Sequence, residues 1–194
     1  IIAEKPARAA RLGASELQTH VEKITGATLV IVSKPTGEVP VKIYVGESEA
    51  ARQVGVNADG LERDAFHMVS GPTWLALVGS DLEFTPREPW ARHHGEWVRE
   101  KQRQWEELAG HPWINPVGSR LYRSYSKELD IWTYDHRGSL NAVYAFLYVL
   151  GVRWYMPGEL GEILPETQDI ALPEVDRTVH PEFEVRSMSR PLLS

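Results

Sequence analysis

The stretch Pro6–Ser33, PARAARLGASELQTHVEKITGATLVIVS, decides the fold class of this chain. Ala10, Ala14, Leu17, Val21 and Ile24 recur at intervals of four, three, four and three, which places them on one helical face. Glu16, His20 and Lys23 fall on the opposite face. Pro6 suits a first turn, where its missing N–H has no partner to lose, and Gly26 suits the position just past a helix end. After Gly26 the period changes. Thr28–Ser33 (TLVIVS) is rich in β-branched residues and predicts a strand. A helix followed at once by a strand makes this a mixed fold.

Working outward, Pro35 and Gly37 predict a turn, and Val41–Val45 (VKIYV) predicts a second strand closed by Gly46. Ser48–Val54 reads as a short helix ended by Gly55. Phe66–Ser70 and Trp74–Val78 read as a hairpin joined through Gly71-Pro72. Ser139–Leu150 (SLNAVYAFLYVL) is apolar nearly all round, which predicts a buried helix, and Gly151 stops it. Val152–Tyr155 is a short strand, and Glu162–Pro165 and Asp169–Leu172 are extended. Pro173–Pro181 reads as a polar, linker-like connection, and Phe183–Met188 as one more strand. Two main helices and about six strands give an α+β layered fold.

Between these parts lies 81–136, where no strand pattern holds and Pro86, Pro89, Pro112 and Pro116 interrupt the chain. One helix is predicted inside it, Glu96–Leu108, with Trp97, Trp105 and Leu108 on a rough stripe. A connection of this length is uncommon inside a compact domain and usually carries function or mobility.

Composition bounds the chemistry. With 42% hydrophobic and 25% charged residues, the chain carries enough apolar material for a packed core. Its net charge of -6 and lack of a Lys/Arg cluster argue against a nucleic-acid partner. There are no cysteines, which excludes disulfides, thiolate catalysis and Cys-ligated zinc. No apolar run approaches the roughly 20 residues of a membrane helix. No leader is visible at Ile1-Ile2-Ala3, a strand-like start.

Catalytic and metal motifs fail on spacing. Around Val56–Gly60 a calcium loop would need carboxylates at Gly55 and Phe66. His93-His94 has no HExxH context, so no metal or other cofactor is expected. Asp135-His136 with Ser139 lacks a nucleophile elbow, and Ser139 opens a helix, where capping is the ordinary role. The carboxylates Glu106-Glu107, Glu159 and Glu162 sit in polar settings with nothing to raise a pKa, so no catalytic residue is assigned. Tryptophan placement says more. Trp90, Trp97, Trp105, Trp113 and Trp132, five of the seven, fall within 81–136. Such rings either stack on sugar C–H faces or anchor a long connection to its domain.

Several segments together carry a family resemblance. ASELQTHVEKITGATLVIV (Ala14–Val32) and VKIYVGES (Val41–Ser48) resemble the start of accessory domains in bacterial α-glucuronidases and β-N-acetylhexosaminidases. HRGSLNAVYAFLYVLGVRWYMPGE (His136–Glu159) is similar to the most recognisable stretch of that group. HPEFEVRSM (His180–Met188) resembles the first strand of the TIM barrel that follows. The resemblance implies a small mixed β-sheet with two main helices on one face, here with 81–136 as a long irregular insertion. It implies an accessory domain over 1–178, and over 179–194 a linker with the first strand of a catalytic barrel. It also implies a bacterial, exported glycoside hydrolase as parent, whose catalytic groups lie on barrel strands beyond this chain. Arg186 takes the place of an arginine that hydrogen-bonds sugar hydroxyls in hexosaminidases. Ser187 stands where that group usually carries glycine.

Three functions compete. The first is a non-catalytic accessory domain that braces a C-terminal catalytic barrel of the same polypeptide, inactive by itself. The second is a carbohydrate-binding module that takes up an oligosaccharide through the insertion. The third is a purely structural or interaction domain. The expected substrate-binding residues are Arg186, Trp90, Trp113 and Trp132.

Overall fold

The structure, a computed structural model, describes residues 1–35, 39–85, 96–110, 125–156 and 158–182. Its described residues form an α+β fold that divides into two units. One comprises Ile1–Asp81 and Arg137–Ser194, the other Leu82–His136.

The first unit is built on a four-stranded sheet. The strands β1 (Lys42–Val45), β2 (Phe66–Gly71), β3 (Trp74–Gly79) and an edge strand at Asp176–Val179 lie in the order β1, β3, β2, edge strand. β1 runs parallel to β3, with Ile43 opposite Leu75, and the β2–β3 hairpin is antiparallel. β3 is central and buried on both faces. Leu75 and Leu77 belong to the larger core, whereas Ala76 and Val78 belong to a smaller cluster with Tyr44, Ala51 and Val56. That split follows from the two-residue period of a strand. The short helix α2 (Glu49–Gln53), capped by the Ser48 hydroxyl, contributes Ala51 to the smaller cluster.

Two long helices contribute to the larger core. The helix α1 (Arg8–Thr25) buries Ala10, Ala14, Leu17, Val21 and Ile24, the predicted stripe, and ends at Gly26 in the left-handed conformation. Its small residues bring its partner close: a Cβ on Gly13 would sit 3.2 Å from Val143 Cγ2. That partner is the helix spanning Gly138–Val149, which buries Phe146 and Leu147. Each such side chain contributes about 1.5–3 kcal/mol on leaving water.

Two expectations are corrected. Thr28–Ser33 is not a strand of the sheet. Its contacts include Ile2 N–H to Val32 O (2.9 Å) and Gln18 Nε2 to Leu29 O (2.6 Å), and Val30 is exposed. β-Branched composition favours a pleated surface, but a ladder also needs a neighbouring strand. Conversely, the supposed connection Pro173–Pro181 contains the edge strand, paired antiparallel with β2 from Asp176–Val69 to Val179–Phe66. An edge strand exposed on most positions shows no apolar alternation, so its polar sequence hid it. The expected boundary at 178 falls inside this strand.

The described residues of the second unit include the helix expected inside it. That unit contains α3 (Glu96–Ala109) and a small hairpin of β4 (Tyr125–Ser126) with β5 (Ile131–Trp132). Arg103 on α3 pairs with Glu100 and Glu107, neighbours one turn away on the exposed side. Asp135 ties the hairpin: its carboxylate accepts from Trp132 N–H (2.8 Å) and Phe84 N–H (2.7 Å).

With the second unit's helix and hairpin numbered, the helix at Gly138–Val149 is α4. It is followed by the hairpin β6 (Arg153–Trp154) and β7 (Glu162–Ile163), and the edge strand is β8.

Candidate functional site

Glu16, Thr19, His20 and Lys23 occupy positions i, i+3, i+4 and i+7 of α1, which stack them along one side of the helix. α4 adds Tyr144. The hairpin adds Trp154 and Glu162, which face each other across β6 and β7. Together these seven side chains line a cleft of about 510 Å³.

His20 is the most buried of them, with 5% of its surface exposed. Its Nδ1 lies 2.7 Å from the Glu16 carbonyl oxygen, which makes Nδ1 the donor. Its Nε2 is itself buried. It lies 3.0 Å from Glu162 Oε1. Lys23 Nζ donates to Glu162 Oε2 at 2.6 Å, and that contact lowers the Glu162 carboxyl below its ordinary range. The Tyr144 hydroxyl donates to Glu16 Oε2 at 3.1 Å, and burial, with the Glu16 charge, raises the phenol to about 12. Trp154 meets His20 and Tyr144 edge to face at 5.5 and 5.4 Å and stays 41% exposed.

This arrangement holds charges and an aromatic ring. A general acid needs a raised pKa, and Glu162 moves the other way. Among the described residues no group of three or more His, Asp or Glu could hold a metal ion. No described helix is long and apolar enough to cross a membrane.

A second polar cluster sits where α4 begins. Arg137 N–H donates to Asp64 Oδ1 (2.6 Å), and Ser139 N–H donates to Asp81 Oδ1 (2.9 Å). Two distant carboxylates therefore satisfy the free N–H groups of a helix start. Ser139 does not cap the helix, as its sequence position implied. It is fully buried, and its hydroxyl accepts from Gly79 N–H at 2.9 Å. The approach is backbone on backbone: a Cβ on Gly79 would lie 2.0 Å from Gly138 C. Burial pushes the Asp81 carboxyl up to about 6, with Asp64 and Glu47 adding to the rise. These interactions belong to folding, and Ser139 has no access to substrate.

A third feature is apolar. Tyr148, Val149, Tyr155, Met156, Leu160 and Ile163 are each more than half exposed, Leu160 at 98%. They lie on the end of α4 and on the hairpin that follows it. Arg153 stacks its guanidinium 3.5 Å over the Tyr148 ring.

The predicted site residues fare differently. Trp132 is corrected: it is 1% exposed, with Phe84 and Tyr125 against it at 5.3 and 4.8 Å, so it cannot stack on a sugar. Trp90, Trp113 and Arg186 lie outside the described residues, as does the expected barrel strand Phe183–Met188. The structure brings forward Trp154, which sequence reasoning passed over. The available signal was the turn spacing of Glu16, His20 and Lys23.

Compared with protein-family models, with curated proteins and with solved structures, the chain finds no match in any of the three.

Proposed function

We propose that the chain is a non-catalytic accessory domain of an exported, carbohydrate-active protein, seated against a catalytic barrel of the same polypeptide. The observation that carries this reading is the exposure of six large apolar side chains at the end of α4 and on the hairpin after it: Tyr148, Val149, Tyr155, Met156, Leu160 and Ile163. Exposed apolar side chains gathered on one end of a helix and its hairpin mark a partner surface. Four of the six, Tyr148, Val149, Tyr155 and Met156, fall in the segment His136–Glu159 that carries the resemblance to accessory domains of α-glucuronidases and hexosaminidases. The polar cluster at the start of α4 supports the same reading, because its carboxylates, Asp64 and Asp81, are engaged with helix N–H groups.

The experiment compares hydrogen exchange and thermal unfolding of the chain alone and joined to its barrel, with Leu160→Asp in each. Amides of 148–163 gain protection only in the joined protein, and Leu160→Asp weakens the joined protein more than the chain alone. Equal protection in both, or glycoside hydrolysis by the chain alone, refutes the proposal.

A further inference from the structure

We propose that the cleft between α1, α4 and the β6–β7 hairpin binds a neutral sugar ring, packed on Trp154 and hydrogen-bonded by Glu16, Thr19 and Lys23. Three observations point to this ligand class. First, a cleft of about 510 Å³ is within the range that takes a small molecule. Its exposed indole provides the apolar surface that the C–H face of a sugar requires. Second, the polar wall beneath the ring is held in place: His20 Nδ1 donates to the Glu16 carbonyl oxygen at 2.7 Å, and His20 Nε2 lies 3.0 Å from Glu162 Oε1.

Third, donors and acceptors alternate around the ring. Lys23 has three N–H donors and uses one on Glu162. Glu16 takes the Tyr144 hydroxyl on Oε2, and its carboxylate has further acceptor sites. Thr19 both donates and accepts. A sugar hydroxyl also does both, so a polyol matches the mixture. An anionic ligand meets the carboxylates of Glu16 and Glu162, and a cationic one meets Lys23, so each is disfavoured on one side. The site is distinct from the tryptophans of the insertion. It is also independent of the docking surface, because Trp154 turns toward His20 and Tyr144.

The test is calorimetric titration of the purified chain with xylobiose, cellobiose and lactose, alongside glucuronate and tetramethylammonium. The expected result is saturable binding of at least one neutral sugar, weakened by about tenfold or more in Trp154→Ala. Glu16→Gln and Lys23→Met weaken binding several-fold while leaving the circular dichroism unchanged, and Leu160→Ser, outside the cleft, leaves binding intact. If Trp154→Ala fails to fold, Glu16→Gln and Lys23→Met carry the test. Absence of saturable binding to all three neutral sugars overturns the proposal. So does binding that these variants leave unchanged, or tighter binding of glucuronate or tetramethylammonium. None of these failures touches the docking surface, whose test is protection of 148–163.

Discussion

Asp81 ties folding to pH in a direction opposite to most carboxylates. Its Oδ1 accepts from Ser139 N–H at the start of α4, and its Oδ2 has no hydrogen-bond partner. Burial, reinforced by Asp64 and Glu47, moves its carboxyl from an ordinary value of 3.8 to about 6. The folded chain therefore holds the Asp81 proton more tightly than the unfolded chain does. Protonation stabilises the fold, fully below the unfolded value, and the benefit is lost as pH rises through about 6. The rise from 3.8 to 6 spans 6 − 3.8, about 2 pH units, which corresponds to about 3 kcal/mol of cost once the group is fully ionised. Between about pH 7.5 and about pH 5, between 1 and 2 kcal/mol of that cost is recovered, roughly, by the same relation. The perturbation is Asp81→Asn, which keeps an oxygen for Ser139 N–H and cannot ionise. Urea unfolding of both proteins across this window gives the comparison, and titrations elsewhere in the chain cancel in the difference. The parent should gain on the variant by about 1–2 kcal/mol as the pH falls across it. Parallel stability curves for the two proteins, or a parent that loses ground to the variant on acidification, would refute the reasoning.

Four further changes test the same junction, the end of α1 and the second unit. Gly138→Ala places a Cβ 2.4 Å from both Ala65 O and Ser80 N, backbone atoms that cannot rotate away. It should cost about 1–3 kcal/mol or more in denaturant unfolding. Gly26→Ala, with a φ of 76 and open space around it, should cost only about 1–2 kcal/mol. Ser139→Ala removes the acceptor of a buried Gly79 N–H and should cost about 1–3 kcal/mol in the same assay. Asp135→Ala releases the N–H groups of Trp132 and Phe84 and should shift tryptophan emission to the red as Trp132 meets water. Unchanged emission would show that the Trp132 packing does not depend on that carboxylate.

The helices were legible because their signals are local. The five-residue stripe of α1 and the apolar run of α4 each report a face, and a face needs no knowledge of its partner. β3 was legible for the same reason, as a continuous apolar run buried on both sides. The errors came where the partner decides. Thr28–Ser33 has strand composition without a place in the ladder, and Asp176–Val179 has a place in the ladder without strand composition. Trp132 misled for a related reason. A tryptophan in a proline-broken stretch reads equally well as bait for a sugar or as an anchor, and only its contacts with Phe84 and Tyr125 separate the two.

The cleft shows the same limit more sharply. Glu16, His20 and Lys23 stand on the side of α1 away from its apolar stripe, so amphipathicity alone assigns them to solvent. That assignment fails for His20 because the β6–β7 hairpin, more than a hundred residues later, folds back and sets Trp154 and Glu162 over it. The hairpin in turn is held by the Lys23–Glu162 contact, by Arg153 over Tyr148, and by Val152 N–H bonding to Leu147 O. The contacts that bury His20 are thus the ones that leave Trp154 half open beside it. A helix face that a sequence marks as polar becomes a recessed site only when a later segment supplies its far wall. The wall here is two short strands whose own sequence signal is the run Val152–Tyr155.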